Sequence, residues 1–184
     1  MSGDTLARVV DVSVRGQVGE RALVPFLCGL GAAGIVAAAW LLIERRQVAA
    51  GWAALGAGTC LVLGGLLLRP ADRRVRVLLS FADRAFDGAV LGALAWVLRE
   101  EEPSTAAAAL VALAAGFLAS YIRAKGGSLG YGIEEGVVTP VLRYGLLSLA
   151  LVFGWTRWAV WVLAVLVLLA AAVRSSQVAK EERL

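Results

Sequence analysis

Along the chain, long apolar runs alternate with short charged or turn-forming clusters. Cutting at those clusters leaves six apolar segments, at 24–43, 49–68, 78–98, 105–122, 137–154 and 157–173. Each is close to the roughly 20 residues that an α-helix needs to cross the hydrocarbon core of a bilayer. The pattern predicts an all-α, polytopic membrane protein of six transmembrane helices, forming a single domain over 1–184, with a juxtamembrane segment at 1–23 and a polar tail at 174–184. Residues 5–18 follow another rhythm. Leu6, Val9, Val10, Val14 and Val18 recur at helical spacing, while Arg8, Asp11 and Arg15 share another face, which predicts an interfacial helix lying on the membrane surface or leading into the first span. The charges among the first 20 residues interrupt any apolar core there, so no cleavable signal peptide is expected.

Composition sharpens this picture. Sixty per cent of the 184 residues are apolar and only 17% are charged, and the mean hydropathy is +0.79. A soluble domain of this size has far less apolar surface to hide. A disulfide scaffold, a disordered tail and a nucleic-acid-binding domain are excluded on the same ground. The absence of histidine excludes His-based acid–base catalysis and the usual zinc sites. Cys28 and Cys60 sit in apolar runs and read as buried thiols.

The positions of the charges orient the spans. With six spans both termini share a side, which carries Arg8, Arg15, Arg21, Arg69, Arg73, Arg74, Arg76, Arg123, Lys125, Arg174, Lys180 and Arg183, twelve cations in all. The other side has four, Arg45, Arg46, Arg99 and Arg157. The positive-inside bias puts both termini in the cytoplasm. All six tryptophans fall at or near span ends on the opposite side, as an aromatic belt would. The preference for Arg over Lys and the richness in Ala, Gly and Val point to a GC-rich bacterial genome and hence a bacterial inner membrane.

Three charges stand where charge is expensive. Asp83, Arg84 and Asp87 lie inside the third span, and Arg143 lies at a similar depth in the fifth. Asp83 and Asp87, four residues apart, share a helix face roughly 8 and 13 Å from the cytoplasmic entrance. Two such carboxylates suit Mg²⁺ or Mn²⁺; they equally suit a structural ion-pair cluster with Arg143, or a proton relay. Gly88 and Gly92 form a G-x-x-x-G on the same helix, which suits close helix contact within or between chains. The stretch Arg69–Arg76 carries four arginines that would anchor topology or grip phosphates. The stretch Ser120–Gly130 joins Arg123 and Lys125 to Gly126 and Gly127, a combination able to cradle an anion.

Two stretches resemble the CDP-alcohol phosphotransferases. Asp83-Arg84-Ala85-Phe86-Asp87-Gly88-Ala89-Val90-Leu91-Gly92-Ala93-Leu94-Ala95-Trp96 is similar to that family's third helix. Ser120-Tyr121-Ile122-Arg123-Ala124-Lys125-Gly126-Gly127-Ser128-Leu129-Gly130 is similar to the segment after its fourth helix. The motifs cover about 25 residues, although the architecture is similar over most of the chain. The resemblance implies catalytic and metal-binding roles for Asp83 and Asp87, phosphate-binding roles for Arg73, Arg74, Arg123, Lys125 and Arg143, and Mg²⁺ or Mn²⁺ as cofactor. It also implies a CDP-linked lipid as ligand, and a homodimer or a heterodimer with an active paralogue.

The sequence departs from the family signature D-x-x-D-G-x-x-A-R followed by G-x-x-x-D-x-x-x-D. The second span ends Leu63-Gly64-Gly65-Leu66-Leu67-Leu68-Arg69 without the aspartates, and Leu79 stands where the penultimate aspartate of the signature belongs if Asp83 is the last. Glu134 and Glu135 precede Arg143 where family members carry arginines. The chain therefore resembles a degenerate member, a scaffold or partner subunit with an incomplete metal site. The alternatives are an active transferase that recruits Asp72, Glu134 or Glu135, and a small ion-coupled transporter using Asp83 and Asp87.

Overall fold

The computed structural model describes residues 3–67, 73–131 and 139–181, with side chains described over 23–67, 74–131 and 139–179. Those residues form six α-helices: α1 (Gly3–Ile43), α2 (Gln47–Leu66), α3 (Arg73–Leu98), α4 (Pro103–Ser128), α5 (Pro140–Phe153) and α6 (Thr156–Glu181). Four of them, over Leu23–Ile43, Gln47–Leu66, Pro103–Ser128 and Thr156–Ala179, are long and apolar enough to cross a membrane. The apolar α5 is shorter, and α3 is interrupted by Asp83, Arg84 and Asp87. The apolar helices make this a membrane protein.

The helices close into a ring. α1 packs on α2 and α3, α4 on α3 and α6, and α5 completes the circuit between α6 and α2. Small residues make the contacts: Ala38, Ala50, Ala54 and Ala109 are wholly buried, with Ala57 and Ala112 nearly so. Without bulky side chains the backbones approach closely, which is how helices gain contact where the surroundings are themselves apolar. Gly51 is the tightest case. A Cβ there would lie 2.9 Å from the Ser148 carbonyl oxygen and 2.9 Å from the Val152 nitrogen, so α2 and α5 meet backbone to backbone. Leu66 (77% exposed), Trp158 (74%) and Phe81 (71%) point outward, as befits faces turned to hydrocarbon.

Two connections are tight, and both lie at the tryptophan end. Arg45, at φ 58°, turns the chain between α1 and α2, and Gly154, at φ 75°, caps α5 in the left-handed conformation. Arg45 pairs with Glu101, and Arg157 approaches Glu102 at 3.8 Å, so exposed ion pairs tie the three connections at this end together.

Several boundaries differ from expectation. No separate interfacial helix forms at 5–18; α1 runs unbroken from Gly3. Residues 19–24 contain no helix breaker beyond Gly19, and Pro25 removes a single backbone donor. The segment with Gly126 and Gly127 is not a loop: α4 continues through Ser128, and Leu129 N–H closes its last turn on the Gly126 and Lys125 carbonyls. α3 begins at Arg73, so Arg74 and Arg76 stand on its first turns rather than in a loop.

Candidate functional site

The site forms across the ring, between α3 and α5. α5 starts cleanly: Thr139 caps it by accepting from the Leu142 N–H (3.3 Å), and Pro140 takes the first helical position. That start places Arg143 and Tyr144 one turn in, facing Asp83 and Asp87. Arg143 Nη2 donates to both Asp83 oxygens at 2.8 Å, and Nη1 donates to Asp87 Oδ2. Arg84 turns back on its own helix. Its Nε donates to Asp83 Oδ2 at 3.2 Å, its Nη2 reaches the same oxygen, and its Nη1 lies 3.1 Å from Asp87 Oδ2 and 3.2 Å from the Gly116 carbonyl of α4. The Tyr144 hydroxyl donates to Asp83 Oδ1. Two carboxylates and two guanidiniums cancel in charge, which is the condition for burying them: Asp87 and Arg143 are each only 4% exposed.

Tyr144 is held from both sides. Its ring meets Phe86 of α3 at a centroid distance of 4.3 Å. Its other face rests on α2 at Gly58, where a Cβ would lie 2.8 Å from the Tyr144 Cβ.

Two cavities adjoin at Asp83. The polar one, about 200 Å³, lies between α3, α4, α5 and α6, and Arg84, Arg123, Arg143 and Arg174 line it with Asp83 and Ser120. Arg174 crosses from α6 to donate to the Ala119 carbonyl of α4 at 2.9 Å. The apolar one, about 530 Å³, lies between α2, α3 and α5; Leu61, Leu66, Leu79 and Val141 line it, with Arg76 and Arg123 among its walls. Asp83, Arg123 and Pro140 belong to both. An anionic group beside an apolar chain is the shape that such a crevice complements.

Of the residues singled out from sequence, Asp83, Arg123 and Arg143 line the polar cavity and Asp87 lies behind them. Arg74 and Lys125 are exposed and line neither cavity. The side chain of Arg73 and all of Asp72, Glu134 and Glu135 lie outside the described residues. Tyr144 and the role of Arg174 were not foreseen. Arg174 read as a tail charge because the apolar run ends at 173, but α6 continues to Glu181.

A divalent ion needs about six oxygen ligands, and a pair of ions needs several carboxylates. Among the described residues no three acidic or cysteine side chains converge. Guanidiniums and a phenol engage both Asp83 oxygens and Asp87 Oδ2, leaving Asp87 Oδ1 as the one oxygen of the pair without a hydrogen-bond partner. α2 has no carboxylate in its whole length, and Leu79 turns toward Gly64. The described donor set does not fit a divalent ion.

No family model and no curated protein matches the sequence. The fold does have a match: the crystal structure of Mycobacterium tuberculosis phosphatidylinositol phosphate synthase (PgsA1) with CDP-DAG bound, at a TM-score of 0.73 and 21% identity, over 93% of this chain and 94% of that one. The chain thus has the fold of a CDP-alcohol phosphotransferase.

Proposed function

We propose that this protein is a degenerate relative of the CDP-alcohol phosphotransferases, which binds a phosphate-bearing ligand or CDP-linked lipid and acts as a partner subunit rather than as a two-metal transferase. One observation carries the reading: Asp83 on the wall of the arginine-lined cavity and Asp87 behind it are both engaged by Arg84 and Arg143. The fold match to a synthase crystallised with CDP-DAG supports the ligand class. The reading includes six spans, cytoplasmic termini and a bacterial inner membrane, with Arg123 and Arg143 as anion-binding residues. Association with a second copy or an active paralogue draws support from Gly88 and Gly92 of α3, where an added Cβ would meet no atom within 4 Å.

The test is CMP release from CDP-diacylglycerol by the purified protein, with Mg²⁺ or Mn²⁺, across alcohols and alcohol phosphates. The expected result is no release above that of Asp83→Asn. Metal-dependent release that the substitution abolishes would establish an active transferase and end the partner-subunit reading. Uptake of a solute by proteoliposomes, with a carboxylate's pH dependence, would instead make the pair a transport relay.

A further inference from the structure

α5 is held unevenly by its neighbours. At Gly51 its backbone meets that of α2, whereas it touches α6 over a far smaller surface. On the α6 side this leaves a slot of about 510 Å³ at the tryptophan end of the ring. Ala150 and Ala159, each 5% exposed, form its floor. Leu146 and Leu149 of α5 and Val162 of α6 make its walls, and Trp155 and Trp158 stand at its mouth. The Phe153 ring lies 5.5 Å from that of Trp155 and steadies it. The slot shares no residue with either cavity at Asp83.

The lining carries no charge, so the slot complements an uncharged, apolar occupant. From Trp155 to Val162 it runs roughly 10 Å, at 1.5 Å per residue. A stable protein interface engages roughly 20–30 residues a side, and the slot offers seven. Its shape also turns a helix away. The ring's own seams are made by alanine and glycine. Here only the floor is small, while Leu149, Trp158 and Val162 rise around it, bulky and exposed. A narrow floor between tall walls admits a thin hydrocarbon chain, not a helix about 10–12 Å across. Indole rings settle at the level of lipid headgroups, so the two tryptophans put the mouth at the interface and the floor in hydrocarbon beneath it. The surrounding lipid is as apolar as the slot, so burial from water is not what favours occupancy. Contact is. A chain on an outward helix face touches protein on one side, whereas a chain in the slot also gains the dispersion attraction of both walls.

We propose that this slot holds one acyl chain of a phospholipid from the leaflet at the tryptophan end, and that the chain fills the gap between α5 and α6 as a standing part of the ring.

The experiment uses the full-length protein in phosphatidylcholine nanodiscs, doped with phosphatidylcholine that carries a diazirine partway along one acyl chain. After irradiation the labelled positions are mapped by mass spectrometry. Val36 of α1 and Leu169 of α6, both exposed, report the bulk lipid. The expected result is about tenfold more label at Leu146, Leu149 and Val162 than at those two positions, the ratio that a preference of about 1.4 kcal/mol gives. Slot label should also outlast a chase with unlabelled lipid that removes the rest. Ala159→Phe fills the floor and should bring slot label down to the level at Val36. Should that variant fail to fold, Val162→Trp, on the exposed rim, closes the slot from above and carries the same test. Equal label at all outward positions in the wild type, lost equally in the chase, would mean an ordinary lipid annulus and overturn the inference. Slot label that is high in discs holding one copy and disappears in discs holding two would assign the slot to a second copy and overturn it as well.

Discussion

Arg143 is the side chain on which the buried cluster turns. It contacts both aspartates, and it comes from the helix opposite. Replacing it with Met keeps much of its bulk and leaves two carboxylates sharing Arg84. Removing one partner of a buried pair costs about 3–5 kcal/mol, so Arg143→Met should unfold well below wild type in a thermal scan in detergent. Asp87→Asn, which keeps the shape and removes one charge, should lose less. Tyr144→Phe removes one hydrogen bond to Asp83 while preserving the ring contact with Phe86, and about 1 kcal/mol is expected. Much of this cluster was legible from spacing. Asp83 and Asp87 had to share a face, and Arg143 lay at matching depth. Tyr144 was not legible, because a tyrosine in an apolar run carries no sign of its hydroxyl's partner. Arg84 was visible as a charge, yet which way it would turn depended on the Gly116 carbonyl of a helix 32 residues away.

At the scale of the helices, the contact between α2 and α5 is the most exacting. Gly51 admits no Cβ without moving backbone, and Gly58 is as tight, because a Cβ there would meet the Tyr144 Cβ at 2.8 Å at the root of a side chain held from both sides. Gly51→Ala and Gly58→Ala should therefore each cost roughly 1–3 kcal/mol, as overpacked cores do. Gly58→Ala should in addition loosen the Tyr144 bond to Asp83, so its effect should shrink in a Tyr144→Phe background; a double-mutant cycle measures this. Helix existence was plain from apolar run length, because a span must satisfy its own backbone. Helix ends were less plain. Apolarity stops at the membrane boundary, while hydrogen bonding continues past it, as in α4 through Ser128 and α6 to Glu181.

For the molecule as a whole, the ring leaves one face of α3 lined by small residues and unfilled. Gly92→Leu starts a side chain at a Cβ position with no atom within 4 Å. It should leave the thermal midpoint of the monomer intact and abolish association with a second copy, as read by light scattering or cross-linking. Loss of both would mean that the glycine serves the chain's own packing. The overall architecture follows from six apolar runs and short connections. The order of the helices around the ring does not: α2 pairs with α5 because their small faces match, a relation between positions some 90 residues apart that no local pattern announces.

That order bears on how the protein is made. On the six-span reading, α3 is translated more than forty residues before Arg143, so its aspartates reach the translocon before their main partner can join them. A bare aspartate at mid-span costs roughly 2.5–3.5 kcal/mol in translocon insertion. Arg84, paired with Asp87 three residues on, travels as an internal counter-ion during that interval. Exchanging Arg84 with Ala85 keeps the composition and moves the guanidinium off the face it shares with Asp87, so it should lower membrane integration of a nascent chain truncated after α3, as read by a glycosylation reporter, whereas Arg143→Met leaves that early step untouched and fails only later, when the ring has to close.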